Sequence, residues 1–204
     1  MEIKSKNILD KLYDYQLDAV TATDKNEKGI VCMPTGTGKT FVQASVITKE
    51  IQKNEGKFGI YVINAPRIML SYQLLKEVYS FLMYAGIDAR YMSVHSGGSN
   101  DMQDLENIRI DANFNEGTNI QYAQIENGTS PILIKDFVEK AKREDLPVIF
   151  FSTYNSAERI NEAIPFEQIN IVMNDESQYL VQEQFYDIIK ILNTKRCYFF
   201  TATT

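Results

Sequence analysis

The stretch Ile30-Val31-Cys32-Met33-Pro34-Thr35-Gly36-Thr37-Gly38-Lys39-Thr40 decides how this chain folds. An apolar, β-prone run ends at Met33, a loop with two glycines follows, and an amphipathic helical pattern begins after Thr40. A strand, a glycine-containing loop and a helix in this order form the context that a phosphate-binding loop requires. Glycines let successive backbone N–H groups point into one concavity, and the N-terminus of the helix adds partial positive charge. The stretch therefore predicts a nucleotide site.

Two side chains at the end of the loop carry its expected chemistry. Lys39 would reach the β- and γ-phosphates of a nucleotide, and the Thr40 hydroxyl would coordinate Mg²⁺. The strict pattern G-x-x-x-x-G-K-[ST] has glycine where this chain has Met33. The alternative, a glycine turn before an ordinary surface Lys-Thr pair, is disfavoured by the complete Thr-Gly-Thr-Gly-Lys-Thr run after a hydrophobic strand. The predicted nucleotide-binding residues of the loop are Pro34, Thr35, Gly36, Thr37, Gly38, Lys39 and Thr40.

Length and composition indicate one globular domain over residues 1–204. With 44% hydrophobic residues the chain can bury a full core, and it is short for two domains. No apolar run approaches the ~20 residues of a membrane span, and the N-terminus does not look like a signal sequence. Cys32 and Cys197 fall in apolar runs, so we expect buried thiols in a reducing, cytoplasmic compartment. The lone His95 has no companion for metal binding.

The net charge of −6 argues at first against a nucleic-acid partner, because such binding relies on neutralising phosphates. The acidity is local, however. Residues 96–130 contain six acidic side chains against Arg109 alone, and the rest of the chain is close to neutral. The net charge therefore argues less strongly against a nucleic-acid partner, but it still argues against one.

Strand-like and helix-like segments alternate, which predicts a doubly wound, mainly parallel α/β sheet flanked by helices. The predicted strands are 29–33, 58–64, 89–94, 147–151, 169–174 and 196–200. The predicted helices are 9–24, the segment after Thr40, 66–84 with Pro66 in its first turn, 131–144, 155–164 and 180–192. Residues 96–130 interrupt the alternation and are predicted to form a small insertion, read as a β-hairpin.

An acid pair, Asp175-Glu176, follows the predicted strand 169–174 directly. Loops at the carboxyl ends of parallel strands meet at one edge of a sheet, so this pair can face the glycine loop. Asp175 would hold Mg²⁺, while Glu176 would position and deprotonate an attacking water. A solvated surface pair is the alternative, and the apolar run before it disfavours that. Gln16 could offer a donor and an acceptor to an adenine edge, although plain helix packing explains it equally well.

Six short motifs in this order resemble the first RecA-like domain of superfamily 2 helicases and translocases. The resemblance is strongest to the DEAD/DEAH-box-like branch that includes type I and type III restriction-enzyme motor subunits. It covers nearly the whole chain except 96–130. The motifs are Tyr15-Gln16, the loop at 34–40, Ala65-Pro66-Arg67, Ser152-Thr153-Tyr154, Asp175-Glu176-Ser177-Gln178 and Thr201-Ala202-Thr203.

The resemblance implies roles for these residues, with ATP and Mg²⁺ as cofactors and Glu176, Lys39 and Asp175 as the catalytic groups. Adenine would be recognised by Gln16. The chain departs from the family at Tyr13, where members often carry arginine, and we expect this ring to stack on the adenine instead. Coupling of hydrolysis to strand movement is implied for Thr201 and Thr203, with Gln178 as a hydrogen-bond partner. Contacts with a nucleic-acid backbone are implied for Pro66, Arg67, Ser152, Thr153 and Tyr154. The sequence does not decide between DNA and RNA, and we favour DNA as the partner. Arg159 is a further, weaker candidate.

The family's second RecA-like domain, with its arginine finger, would follow Thr204. Without that charge a lone first domain should bind Mg-ATP weakly and hydrolyse it slowly or not at all. We therefore expect a fragment of a larger motor. The competing hypothesis is a nucleotide-dependent module that never hydrolyses ATP and recruits a protein through its acidic insertion. A small-molecule kinase is disfavoured because the arginines are scattered singly.

Overall fold

The computed structural model describes residues 8–96, 125–181 and 192–202. The strands are β1 (Lys28–Cys32), β2 (Ile60–Ala65), β3 (Arg90–Val94), β4 (Ile125–Asn127), β5 (Val148–Thr153), β6 (Ile169–Asn174) and β7 (Thr194–Thr201). The helices are α1 (Asp14–Lys25), α2 (Lys39–Lys53), α3 (Ile68–Tyr84), α4 (Pro131–Glu144) and α5 (Ala157–Ala163). Short 3₁₀ turns span Ile8–Lys11, Tyr154–Ser156 and Ser177–Val181.

The seven strands form one sheet in the order β1-β7-β6-β2-β5-β3-β4, and every neighbouring pair is parallel. Because all strands run the same way, the loops after β1, β2, β5, β6 and β7 lie along one edge of the sheet. The predicted doubly wound α/β fold is confirmed. The sheet is wholly parallel in the described residues, where the sequence predicted a mainly parallel one.

The core lies on both faces of the sheet, as alternate residues of the central strand show. Tyr61 and Ile63 of β2 pack in one apolar cluster with residues of α2 and α3. Ile60 and Val62 pack in the other cluster with residues of α4 and α5. All six residues of β2 are buried, as are all six of β5. Helices on both faces exclude water from these strands, which explains their continuous hydrophobic runs.

Several predicted boundaries differ from the structure. Pro66 was predicted in the first turn of a helix, but α3 begins at Ile68, and Arg67 is the extended N-cap residue (φ −140°, ψ 151°). Pro66 therefore lies in the connection after β2. The helix predicted over 9–24 begins only at Asp14, since a 3₁₀ turn occupies Ile8–Lys11.

Two further helix predictions are shortened or fall outside what the structure describes. The helix predicted over 155–164 is reduced to α5 by the 3₁₀ turn Tyr154–Ser156 that precedes it. Leu180, the predicted start of the last helix, lies in the turn Ser177–Val181. Residues 182–191 of that helix are outside the described residues, and so is the hairpin predicted within the insertion, over 108–122. The short strand β4, near the end of the insertion, was not predicted.

The prediction that both cysteines are buried is wrong for Cys32. The thiol of Cys197 is buried and that of Cys32 is exposed, and neither is in a disulfide. β1 is an edge strand whose alternate residues Lys28, Ile30 and Cys32 face solvent, so an apolar run does not ensure burial there. Within 8–96, 125–181 and 192–202 no helix has the length and apolar character needed to cross a membrane.

Candidate nucleotide-binding site

The loop between β1 and α2 adopts a backbone that requires glycine at two positions. Gly36 and Gly38 have φ angles of 80° and 81°, in the left-handed region that side chains disfavour. Gly38 is also the N-cap residue of α2. A Cβ atom on Gly38 would lie 2.5 Å from Nε2 of Gln16, a clash that no side chain tolerates without rearrangement. The glycine pattern therefore serves both backbone curvature and a close approach of α1.

Side chains of α1 hold this loop through one carbonyl group. The carbonyl oxygen of Thr37 accepts hydrogen bonds from Nε2 of Gln16 at 2.9 Å and from the hydroxyl of Tyr15 at 3.2 Å. Oε1 of Gln16 accepts a hydrogen bond from the N–H of Tyr13 at 3.0 Å. Both polar atoms of this buried amide therefore have partners inside the protein. Adenine recognition by Gln16 stays a prediction, and the structure gives the residue a second task, which is to hold the loop.

Tyr13 lies beside the loop with its ring largely exposed, at 69% of its possible surface. The ring stacks on that of Tyr15, with the centroids 5.7 Å apart and the planes 9° from parallel. An exposed, pre-stacked aromatic pair at this place is suited to take a planar base. The stacking of adenine on Tyr13 remains a prediction.

The acid pair after β6 meets the loop at the same edge of the sheet. Nζ of Lys39 lies 3.6 Å from Oε1 of Glu176 and 3.4 Å from the carbonyl oxygen of Met33. Asp175 is buried beside them, and its Oδ1 accepts a hydrogen bond from Nε2 of Gln43 at 2.8 Å. Parallel strand order thus brings residues more than 130 positions apart into contact. Gln43, one helical turn after Lys39, was not singled out from the sequence.

Burial raises the pKa of Asp175 to about 6. The hydrogen bond from Gln43 and the charge of Lys39 lower this pKa, whereas the neighbouring carboxylate of Glu176 raises it. Removal from water disfavours the charged carboxylate, and only a nearby cation or donor can restore it. Near neutral pH, Asp175 is therefore an ionised carboxylate that burial destabilises and that a bound cation would stabilise. A cation ligand is expected to have this property.

The donor set fits Mg²⁺. The Thr40 hydroxyl lies in the first turn of α2, and Asp175 supplies a carboxylate, so both offer the hard oxygen atoms that this cation prefers. Among the described residues, no three His, Cys, Asp or Glu side chains are grouped closely enough to hold a metal by themselves. Mg²⁺ bound here would accordingly need oxygen atoms from a nucleotide, as is usual for this ion.

Glu176 has a left-handed backbone, with φ of 50°. Such a conformation costs roughly 1–2 kcal/mol for a residue with a side chain. The preceding residue is held on both sides: the N–H of Asp175 donates to the carbonyl oxygen of Asn64 at 2.8 Å, and its carbonyl oxygen accepts a hydrogen bond from the hydroxyl of Tyr154. These contacts maintain the turn that aims Glu176 at Lys39.

A chain of hydrogen bonds leads from Glu176 to the end of β7. Nε2 of Gln178 donates to Oε2 of Glu176 at 2.7 Å, and the Thr201 hydroxyl donates to Oε1 of Gln178 at 2.9 Å. The expected contact between Gln178 and Thr201 is thus present, while its role in coupling stays a prediction. Thr203 lies outside the described residues.

The residues predicted to contact a nucleic acid are placed unequally. Arg67 is exposed and Pro66 is half-buried. The side chains of Ser152, Thr153 and Tyr154 are buried, at 0%, 6% and 1% exposure. The register pairs Ala65 with Thr153, which brings the two predicted contact segments together at the ends of β2 and β5.

The hydroxyls of this second segment have partners within the protein. Ser152 donates to the carbonyl oxygen of Thr153 at 2.9 Å, and Thr153 donates to the hydroxyl of Ser156 at 3.1 Å. The guanidinium of Arg159, on α5, is exposed and donates to Glu162 at 2.8 Å. Among the predicted strand contacts, Arg67 and Arg159 therefore present exposed positive charges.

Residues 9–204 match the sequence model of the family described as type III restriction enzyme, res subunit. The chain belongs to this family. The resemblance to superfamily 2 motor domains that the motifs indicated is thereby confirmed. No curated protein sequence matches the chain.

Solved structures share the fold. The chain is similar to a nuclease-deletion mutant of the Type ISP restriction-modification enzyme LlaGI in complex with a DNA substrate mimic, at 24% identity and a TM-score of 0.68 over 95% of this chain and 17% of that one. The Sulfolobus solfataricus SWI2/SNF2 ATPase core in complex with dsDNA matches at 17% identity and a TM-score of 0.57, over 100% of this chain and 34% of that one. The UvsW helicase from bacteriophage T4 matches at 19% identity and a TM-score of 0.58, over 93% of this chain and 52% of that one. The present chain thus spans from about a sixth to about half the length of these three proteins.

Proposed function

We propose that this chain is the ATP-binding half of an ATP-driven helicase or translocase that acts on DNA. The observation that carries the proposal is the contact of Lys39 with Glu176 at 3.6 Å, beside the buried Asp175 and at the mouth of the glycine loop. A loop for phosphates, a cation ligand and a second carboxylate at one edge are the parts that phosphoryl transfer to water needs. Membership of the res subunit family supports the same reaction.

Each side chain has a defined task in this reaction. The loop N–H groups and Lys39 would bind the β- and γ-phosphates, with Thr40 and Asp175 holding Mg²⁺. The bound cation would neutralise the charge that develops on the phosphate oxygens. When Lys39 turns to a phosphate it leaves Glu176, whose carboxylate is then available to orient a water and accept its proton. The ion pair seen here is in this view the resting arrangement of the site.

The remaining parts of a motor would come from a second RecA-like domain and from the track. An arginine from that domain would add positive charge to the γ-phosphate, so the isolated chain should have little activity. Arg67 and the segment 152–154 would position a backbone without reading sequence. We favour DNA because the LlaGI and SWI2/SNF2 structures contain DNA or a mimic of it. The free thiols of Cys32 and Cys197 agree with a cytoplasmic location.

Replacement of Glu176 by glutamine tests the proposal, because it removes the proton acceptor while keeping the size of the side chain and one acceptor oxygen for the hydrogen bond from Gln178. In the intact protein we expect DNA-stimulated ATPase to fall at least 100-fold, since general base catalysis contributes about 10²–10⁴ in rate. Binding of a fluorescent ATP analogue with Mg²⁺ should stay within about threefold of the unsubstituted protein.

Glu139→Gln is a matched control, because Glu139 is a surface carboxylate on α4 that pairs with Lys142, and neither residue is predicted to contact ATP or DNA. It should leave ATPase unchanged. If the intact protein binds ATP but its phosphate release is indifferent to Glu176→Gln, the motor hypothesis fails. That result would favour a nucleotide-dependent module that recruits a protein partner and does not hydrolyse ATP.

A further inference from the structure

Tyr154 links two parts of the molecule that the sheet keeps apart. Its ring follows the end of β5 and is buried, at 1% exposure. Its hydroxyl donates to the carbonyl oxygen of Asp175, which follows the end of β6. β2 lies between these strands, so the side chain reaches across the end of a whole strand to make this contact.

The carbonyl that Tyr154 holds belongs to the peptide joining Asp175 to Glu176. Rotation of that peptide changes the direction in which the Glu176 side chain leaves the turn. The N–H of Asp175 is bonded to the carbonyl oxygen of Asn64 on β2, so the residue is gripped from two neighbouring strands. With Asp175 held by these two hydrogen bonds, Glu176 has a left-handed φ of 50°. Strained backbone of this kind persists only where its surroundings determine it.

We propose that Tyr154 is a positioning residue, which orients Glu176 for hydrolysis and transmits strand binding at the end of β5 to the ATP site. This inference rests on the proposed function, and it names the path by which DNA stimulates that site. The buried ring and hydroxyl of Tyr154 touch neither nucleotide nor DNA in this scheme, and any contact of residue 154 with the DNA backbone is through its main chain.

The end of β5 lies where a bound nucleic-acid backbone could shift the position of Tyr154. Thr153 pairs with Ala65, two residues before the exposed Arg67, so a backbone bound at Arg67 lies against both strand ends. The Thr153 hydroxyl donates to the hydroxyl of Ser156, the last residue of the 3₁₀ turn Tyr154–Ser156 that begins with Tyr154. Hydrogen bonds weaken steeply with distance and angle, so a small shift of this turn changes the grip on Asp175.

Replacement of Tyr154 by phenylalanine removes the hydroxyl and keeps the ring. In the intact protein we expect DNA-stimulated kcat to fall about 3- to 10-fold, the effect of losing one hydrogen bond that orients Glu176. KM for ATP and the Kd for a mixed-sequence DNA duplex should stay within about twofold. A purely structural role would not separate kcat from both binding constants in this way.

Tyr61→Phe is the matched control. Tyr61 is fully buried near the start of β2, and its hydroxyl has no hydrogen-bond partner among the residues that the structure describes. Removing that hydroxyl should leave kcat, KM and DNA binding unchanged. An equal fall of kcat in both variants, or an unchanged kcat in Tyr154→Phe, overturns the inference.

A measurement on the unsubstituted protein covers the case in which Tyr154→Phe does not fold. Without nucleotide, the DNA duplex should slow hydrogen exchange at the amide of Asp175, because ordering of the β5 end tightens its hydrogen-bonded turn. Protection at residues 65–67 with no change at Asp175 overturns the inference. If DNA fails to stimulate ATPase in the unsubstituted protein, the proposed function itself fails, and the inference fails with it.

Discussion

Replacing Gln43 by leucine should weaken Mg-ATP binding much more at pH 6 than at pH 8. Gln43 is fully buried and donates a hydrogen bond to Oδ1 of Asp175 at 2.8 Å. Burial already raises the pKa of Asp175 to about 6, and this hydrogen bond opposes the rise. Leucine has nearly the same volume and no donor. The carboxyl group would therefore hold its proton to higher pH, and a cation would have to displace that proton in order to bind.

The size of the effect follows from the hydrogen bond that is lost. A hydrogen bond to a charged group contributes about 1.5–3 kcal/mol, which makes the protonated form of Asp175 roughly 10- to 100-fold more favoured. With the pKa near 6 in the unsubstituted protein, the charged fraction at pH 6 should fall about 5- to 50-fold. At pH 8 the same change costs only about twofold or less, because the carboxyl group is then at least half ionised in both proteins.

Titration of the protein with a fluorescent ATP analogue at saturating and limiting Mg²⁺, from pH 6 to pH 8, measures this difference. Gln73→Leu is the control, since Gln73 donates to Glu77 on the exposed face of α3. It should follow the unsubstituted protein at every pH. A loss of affinity in Gln43→Leu that is equal at pH 6 and pH 8 would refute the electrostatic reasoning and leave only a packing defect.

Two further predictions concern the loop and the stability of the domain. Gly38→Ala places a methyl group 2.5 Å from Nε2 of Gln16 at a φ of 81°, so nucleotide affinity should fall more than tenfold in the same titration. Gly29→Ala, where nothing lies within 4 Å of the added carbon, should bind normally. The raised pKa of Asp175 means that the folded state holds its proton more tightly than the unfolded state, so stability falls as pH rises from about 4 to about 6. Asp175→Asn should remove this dependence and stabilise the Mg²⁺-free protein by about 2–3 kcal/mol at pH 7 in urea unfolding, and a pH profile as steep as that of the unsubstituted protein would contradict it.

Much of the fold was predictable from the sequence because its signals are local. Helix α4 spans Pro131–Glu144 as predicted, since proline at its first position and basic residues in its last turn mark both ends. Strand β6 also has its predicted bounds, Ile169–Asn174, because a buried parallel strand is a continuous apolar run. Helix starts were less accurate. The 3₁₀ turns before α1 and α5 involve residues that are equally compatible with a helix.

In the candidate site, too, the residues with a local sequence signal were predicted and those without one were not. The glycine loop, Lys39 and the acid pair were found because phosphate chemistry imposes residue types at fixed spacing. Gln43 and the positioning contact of Tyr154 were not found, since a glutamine on a helix and a tyrosine after a strand have no such signature. Their partners lie 132 and 21 residues away in the chain.

The sequence by itself determined that a strand, a phosphate loop and a distant acid pair belong to one parallel α/β sheet. Backbone propensity, apolar periodicity and motif spacing act over a few residues, and they suffice for that. Only the tertiary structure decided that β2 lies between β5 and β6, that Cys32 is exposed on an edge strand, and that Tyr154 turns inward to hold Asp175. Such features depend on which strands become neighbours, and that is settled by the free energy of packing the whole sheet between its helices.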